Sequence, residues 1–448
     1  MQFLKITAAL FLILFLQACL KKLDNKPSSA QATAESIADL QRLLDNQSVM
    51  NANRPFLLEL GADDFFTPTV IWKNLDPVCQ LGYIWEKDPF LGADVNDWNS
   101  CFSTILFSNI ALEKVRTLKD ETDTAEARFV RGQAHFHRAY ANWLLAQLFC
   151  KAYDNRTAST DPGLPLRLSS NAKTLVNRST VQETYNHIIR DLLEAKTLLP
   201  AKTPIPTRPS LLAAEALLAK VFLSMGDTEK AWDFANQVLL KSDTLIDYNG
   251  VRNSGIPFRQ FNEETIFYAT MGAAAIFNNG NNCPVDTLLY ASYNDNDLRK
   301  ELFFTNGNNN YKIFKGSYSG STLKFCGITT AEILLIRAEC YARKDQVKEA
   351  IEDLNTLMKK RWKVTVPFQP FHVTGKEAAL DSILNERRKE MIFRCARWID
   401  IKRLNVKDKN ITLTRKIDNR LITLPARDLR FIYPIPAQEV LLNPMEQN

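Results

Sequence analysis

Apolar side chains recur at helical spacing along most of this sequence, which commits the chain to a body of packed helices. From Ala125 to Phe149 one face carries Phe129, Gln133, Phe136, Tyr140, Trp143 and Leu144, while Arg128, Arg131 and Arg138 lie elsewhere. Val181 to Leu199 repeats the behaviour with Tyr185, Ile188, Leu192, Ala195 and Leu199. Thr180 and Glu183 have the spacing of a capping box, and Pro200 stops the helix.

Two later segments read as versions of one unit. The first runs from Ala214 through Phe222 and Leu223 to Met225-Gly226-Asp227, then restarts near Ala231. The second runs from Ala331 through Ala338 and Tyr341 to Lys344-Asp345, then restarts near Ala350. Small residues let paired helices approach closely, which is the logic of tetratricopeptide repeats. The pairs are separated by insertions, so a regular solenoid is not expected, and an ordinary helical bundle is the competing reading. The expected fold is therefore mostly α, with tetratricopeptide-type helix pairs forming a scaffold for long loop-rich insertions and minor β structure. The longest insertion spans 249–327, where Asn278 to Asn282 and Asn306 to Asn310 are turn formers among Tyr290, Tyr293, Phe303, Phe304, Tyr311 and Tyr318. A second irregular aromatic stretch runs from Gly61 to Trp98. Both read as exposed loops on a rigid scaffold, the usual place for function.

The first residues read as targeting rather than structure. Lys5 precedes an apolar run, Ile6 to Leu16, too short to span a bilayer as a resident helix, and the run ends in Leu16-Gln17-Ala18-Cys19. This is the lipobox pattern of bacterial lipoprotein precursors, with Gln17 a departure from the usual residue at that place. Residues 1–18 are expected to be a signal peptide, Cys19 the lipidated residue, and 19–30 a flexible polar tether. An ordinary cleaved signal peptide, with Cys19 incidental, is the competing reading. Of the other cysteines, Cys101, Cys150, Cys340 and Cys395 fall in helical apolar patterns and read as buried hydrophobes. Cys283 and Cys326 lie in the loop-rich region, and spacing leaves open whether they pair. The formal charge of +6 is spread among acids, without the basic stripe that nucleic-acid binding needs.

Catalytic patterns are absent. His135 and His137 are two apart on a helix and cannot share a metal, and there is no Cys-x-x-Cys, so neither metal nor cofactor is expected. Gly316-Ser317-Tyr318-Ser319-Gly320 has Tyr where a nucleophile elbow needs Ser. Asp63, Asp64, Glu86, Asp88, Asp94 and Asp97 contain enough carboxylates for a glycosidase, but surface acids and turn caps explain all six without catalysis, which is the favoured reading.

The C-terminal third carries a resemblance. Glu386-Arg387-Arg388-Lys389-Glu390, then Arg397-Trp398-Ile399-Asp400-Ile401-Lys402-Arg403, then Pro434-Ile435-Pro436 with Glu439-Val440, Asn443-Pro444 and Gln447-Asn448 follow one another in order. They resemble the signatures of the SusD/RagB family of nutrient-capture lipoproteins. Upstream, Trp98, Phe102, Ile105 and Asn109, and Arg178-Ser179-Thr180-Val181 with Tyr185, Ile188, Asp191-Leu192 and Ala195, resemble further family elements, with Phe102 replacing the usual Tyr. By charge alternation at helical spacing the C-terminal motifs read as ion-pair networks, and the prolines as an extended tail that docks on the body. The resemblance implies an N-terminal region over 31–225 and a C-terminal region over 226–448. It also implies a non-catalytic, outward-facing, lipid-anchored outer-membrane protein that binds an oligosaccharide or polysaccharide. Such a protein passes its cargo to a SusC-like TonB-dependent transporter. Composition of the two loop regions puts forward Trp72, Tyr83, Trp85, Tyr290, Tyr293 and Tyr311 as stacking residues and Asn96 as a polar one. A RagB-like peptide cargo, a tetratricopeptide scaffold for outer-membrane assembly and a surface glycosidase are the alternatives.

Overall fold

From Ile37 to Glu390 each long helix of the body packs on the next one along the chain. The computed structural model describes residues 34–118, 122–407 and 409–448; the expected signal peptide, Cys19 and the tether lie outside the described residues. Among the described residues, helices of eight residues or more are α1 (Ile37–Leu44), α2 (Asn96–Thr117), α3 (Ala125–Phe149), α4 (Val181–Leu198), α5 (Leu211–Met225), α6 (Thr228–Leu239), α7 (Thr330–Arg343), α8 (Val347–Lys359), α9 (Lys376–Glu390) and α10 (Arg397–Lys407). The packing runs α2 on α3, α3 on α4, α4 on α5, α5 on α6, α6 on α7, and α7 on both α8 and α9. The fold is thus mostly α, and α6 meets α7 directly although the whole long insertion separates them in sequence. No described helix is long and apolar enough to cross a membrane.

Local chemistry sets the helix ends. Thr180 accepts from the Glu183 N–H at 3.1 Å and the Glu183 carboxylate accepts from the Thr180 N–H at 2.8 Å, a complete capping box for α4. α5 stops at Gly226, held at φ +72°, a left-handed conformation that glycine adopts without steric cost. Asp227 then caps α6 by accepting from the Lys230 N–H. In the second unit Asp345 takes the same left-handed turn at φ +62°, so both units reverse direction by one residue of positive φ.

Strands β1 (Pro162–Pro165) and β2 (Arg178–Thr180) pair just before α4. The long insertion closes at its base. β3 (Thr265–Phe267) pairs antiparallel with β6 (Ile328–Thr329), so the chain leaves the scaffold and returns beside itself. Within it, β4 (Phe304–Asn306) and β5 (Lys312–Phe314) form a hairpin whose turn uses Asn309 and Asn310 at φ +54° and +59°. A second hairpin, Leu413–Ile417 with Arg420–Leu424, follows α10. One apolar core runs from Phe56 through the helices and the insertion to Ile435, and a smaller one joins α1 to α2 and α3.

Several sequence expectations need correction. The insertion does not read out as an exposed loop: Tyr248, Tyr293, Phe303, Phe304 and Tyr318 are buried, in edge-to-face and tilted ring contacts that form part of the core. Alternation of aromatics with turn residues hides this, because turns can carry large rings inward as well as outward. Arg138, set apart from the apolar face of α3, is buried and bidentate to Asp191, whose carboxylate also meets His135 at 2.8 Å. Nor are the acids between 63 and 97 all surface groups: Asp64 and Asp97 are buried and Asp63 pairs with Arg397 at 2.7 Å, whereas Asp88 does act as a turn cap. Cys283 and Cys326 are both free, and the Cys326 sulfur lies 3.0 Å from that of Cys395.

The C-terminal motifs form a buried ion-pair network, with partners drawn mainly from other segments. Arg387 meets Asp400 at 2.8 Å, and Arg403 meets both Asp400 and Glu339. Arg388 reaches Asp64, while Glu386 and Glu390 take Arg299, which is also held by Asp297. The Lys402 ammonium donates to the carbonyls of Gln147 and Cys150 at 2.6 and 2.8 Å, a cation placed on the C-terminal end of α3. The tail docks through its amides. Asn443 exchanges two hydrogen bonds with the Val176 backbone, and Asn448 donates to the carbonyls of Tyr433 and Phe149.

Candidate functional site

The structure separates the seven loop residues put forward by composition. Tyr83, Trp85 and Tyr293 are 1%, 3% and 2% exposed, so they offer no ring face to a ligand arriving from solvent. Each has its polar atom satisfied inside. The Tyr83 hydroxyl accepts from the Thr67 N–H at 2.9 Å, the Trp85 indole donates to Gly61 O at 3.0 Å, and the Tyr293 hydroxyl donates to Lys389 O at 2.8 Å. The Arg415 guanidinium lies 3.8 Å from the Tyr83 ring centroid and 4.5 Å from that of Trp85, filling the space a sugar would need. Trp72 is half-buried, with its indole donating to Gln80 O, and Asn96 is exposed at the start of α2. Tyr290 and Tyr311, both half-buried, are the insertion's candidates that keep access to solvent.

Tertiary contacts bring the two loop regions together. The Phe66 N–H donates to Pro284 O and the Asp286 N–H to Asp64 O, each at 2.9 Å, while the Val285 N–H donates to Lys312 O at 2.8 Å. Phe66 meets Tyr311 edge to face at 5.0 Å. The first loop region therefore buttresses the β4–β5 hairpin, and the hairpin shapes the cleft beside it.

That cleft has a volume of about 510 Å³ and lies between residues 253–255, the segment around Tyr290 and Lys300, and the hairpin. Tyr290 stands edge to face on Phe304 at 5.4 Å, with the ammoniums of Lys300 and Lys312 each 5.2 Å from its ring centroid. Lys312 donates to the Asn306 side-chain carbonyl at 2.5 Å, and Lys315 to the Asn253 side chain and to Ser254 O. Burial lowers Lys315 from its ordinary value, against a smaller opposing pull from Glu301. The cleft thus combines an aromatic ring, two amides and three ammoniums around one carboxylate. Of the seven residues put forward from the sequence, Tyr290 lines this cleft, and the three lysines are not among the seven. The lysines come from a short helix, a strand and the residue after that strand, so no single periodicity marks them.

A second cavity of about 540 Å³ lies along α2, lined by Trp98, Phe102, Asn109, Arg167 and Leu175 with Leu442 of the tail. It is mainly apolar. Among the described residues no group of three or more His, Cys, Asp or Glu side chains is placed to hold a metal.

A family model described as starch-binding and associating with the outer membrane matches residues 21–223, and the model of the SusD family matches residues 261–448. The chain belongs to the SusD family. A curated relative, SusD-like protein P2 of Formosa agariphila, is 23% identical, with 77% of this chain and 78% of that protein covered. Among solved structures, a SusD superfamily protein of Bacteroides thetaiotaomicron is 23% identical with a TM-score of 0.74, covering 92% of this chain and 99% of that one. One from Bacteroides fragilis has a TM-score of 0.74 at 22% identity, covering 92% and 98%. A SusD-like carbohydrate binding protein of Bacteroides vulgatus has a TM-score of 0.68 at 19% identity, covering 91% and 96%. In this SusD-family chain the motif residues hold the scaffold together, and the open cleft is built from insertion residues outside those motifs.

Proposed function

We propose that this protein captures a glycan at the outer-membrane surface and passes it to a SusC-like TonB-dependent transporter, without cleaving it. The observation that carries the reading is the cleft at Tyr290: concave, open, and lined by an aromatic ring beside amide side chains, the chemistry that recognises sugars. The matched family description and the name of the Bacteroides vulgatus structure support carbohydrate as the cargo. Among the described residues Glu301 is the one carboxylate lining the cleft, and it is itself paired with Lys363 at 2.6 Å, so they do not assemble the paired acids of a glycosidase there. Asp63, Asp64 and Asp97, three of the six acids of the glycosidase reading, are tied into ion pairs or backbone hydrogen bonds of the fold instead. In this reading lipidation of Cys19 supplies the anchor.

The test is a glycan and peptide array with the full-length protein in detergent, together with purification from native membranes. Binding to glycans without turnover, and copurification with a large β-barrel, is the expected result. Binding to peptides alone would move the cargo to the RagB-like alternative, and turnover of a bound glycan would overturn the non-catalytic reading.

A further inference from the structure

Resting on the capture reading, we infer that the Tyr290 cleft is built for an acidic glycan, one bearing carboxylate or sulfate groups. The charges lining it do not balance. Lys300, Lys312 and Lys315 face one carboxylate, Glu301, which Lys363 already neutralises. Lys300 has an acid partner in Asp295 at 2.7 Å, but that carboxylate is 92% exposed and its attraction is screened by water. Among the described residues Lys312 and Lys315 hydrogen-bond to neutral acceptors alone: the amides of Asn306 and Asn253 and the Ser254 carbonyl.

Tyr290 sharpens the point. With two ammoniums at 5.2 Å from its centroid, the ring places positive charge beside any sugar that packs against it. A neutral sugar entering here would strip water from ammoniums and return only neutral hydrogen bonds. A carboxylate or sulfate would complete them with charge-assisted bonds, roughly twice as strong. Lysines, as flexible point charges without the planar fork of arginine, suit planar carboxylates and tetrahedral sulfates alike. The cleft therefore specifies the charge of the ligand and accepts either acid group.

The experiment is calorimetry of the full-length protein in detergent against polyuronate oligosaccharides and sulfated oligosaccharides, each beside its carboxyl-reduced or desulfated counterpart. The acidic form is expected to bind at least about tenfold tighter, the worth of one charge-assisted hydrogen bond, and to weaken as salt is raised. Whether the uronate or the sulfate arm shows the preference identifies the acid group. K312A/K315A should abolish the preference, and K312R/K315R should restore most of it. Equal affinity for charged and neutralised forms, or salt-independent binding by the unmodified protein, overturns the inference while leaving glycan capture standing. Failure to bind any glycan, charged or neutral, overturns the capture reading and this inference together.

Discussion

Arg361 and Glu390, both wholly inaccessible to solvent, meet at 2.9 Å where the base of the insertion joins the C-terminal helices. Glu264, immediately before β3, completes the cluster by accepting from Arg361 at 2.8 Å. Burial alone would raise the Glu390 carboxyl, but the guanidiniums of Arg361 and Arg299 prevail and hold it at about 2. Its folded value lies below its unfolded one, so its contribution to stability is present above about pH 4.3 and is lost as pH falls through about 2. Glu390→Gln leaves two buried guanidiniums short of charge. It should cost about 3–5 kcal/mol in denaturant unfolding, with a smaller loss of stability on acidification than the unmodified protein shows.

Asp97 has the opposite sign. It is buried at the start of α2 with the Leu57 N–H donating to it at 2.8 Å, and burial outweighs that bond to push its carboxyl up to about 7. A raised folded value means stability that is present below the unfolded value and lost as pH rises through about 7. Asp97→Asn keeps an acceptor and removes the charge. The variant should melt higher than the unmodified protein at pH 8, by the equivalent of about 1–3 kcal/mol, and the gap should close or reverse at pH 4.

Trp85 and Tyr290 should part company on mutation. Trp85 is buried at φ +55° with its indole bonded to Gly61, so Trp85→Ala is expected to cost about 3–5 kcal/mol in thermal or denaturant unfolding. Tyr290→Ala, on the cleft wall, should cost about 1 kcal/mol and weaken glycan binding in calorimetry by at least about tenfold. Unchanged binding in Tyr290→Ala would move the site away from this cleft.

Cys19→Ser should transfer the protein from the membrane to the soluble fraction on cell fractionation, with the melting temperature of the body unchanged. Retention in the membrane fraction would show that the anchor is something other than a lipid on this thiol.

Legibility in the sequence tracked the range of the interaction. The capping box at Thr180 and Glu183, the turns at Gly226 and Asp345, and the stop at Pro200 involve neighbours in sequence, and spacing reveals them. The burial of Tyr83 and Trp85 depends on Arg415, which approaches from the far end of the chain. No local pattern around position 83 contains that partner. Arg138 was misplaced for the same reason, since Asp191 on the next helix turns a polar position into a buried bidentate pair.

The sequence alone determined a mostly helical scaffold, its paired units, its family motifs and the charge alternation that becomes the ion-pair network. Those properties rest on periodicity and on short-range chemistry, which are written in consecutive residues. Which loop aromatics stay reachable, and that three lysines converge on one cleft beside Tyr290, was decided only by tertiary structure. Burial is a relation between segments distant along the chain, and a cleft exists only once the segments that wall it have met.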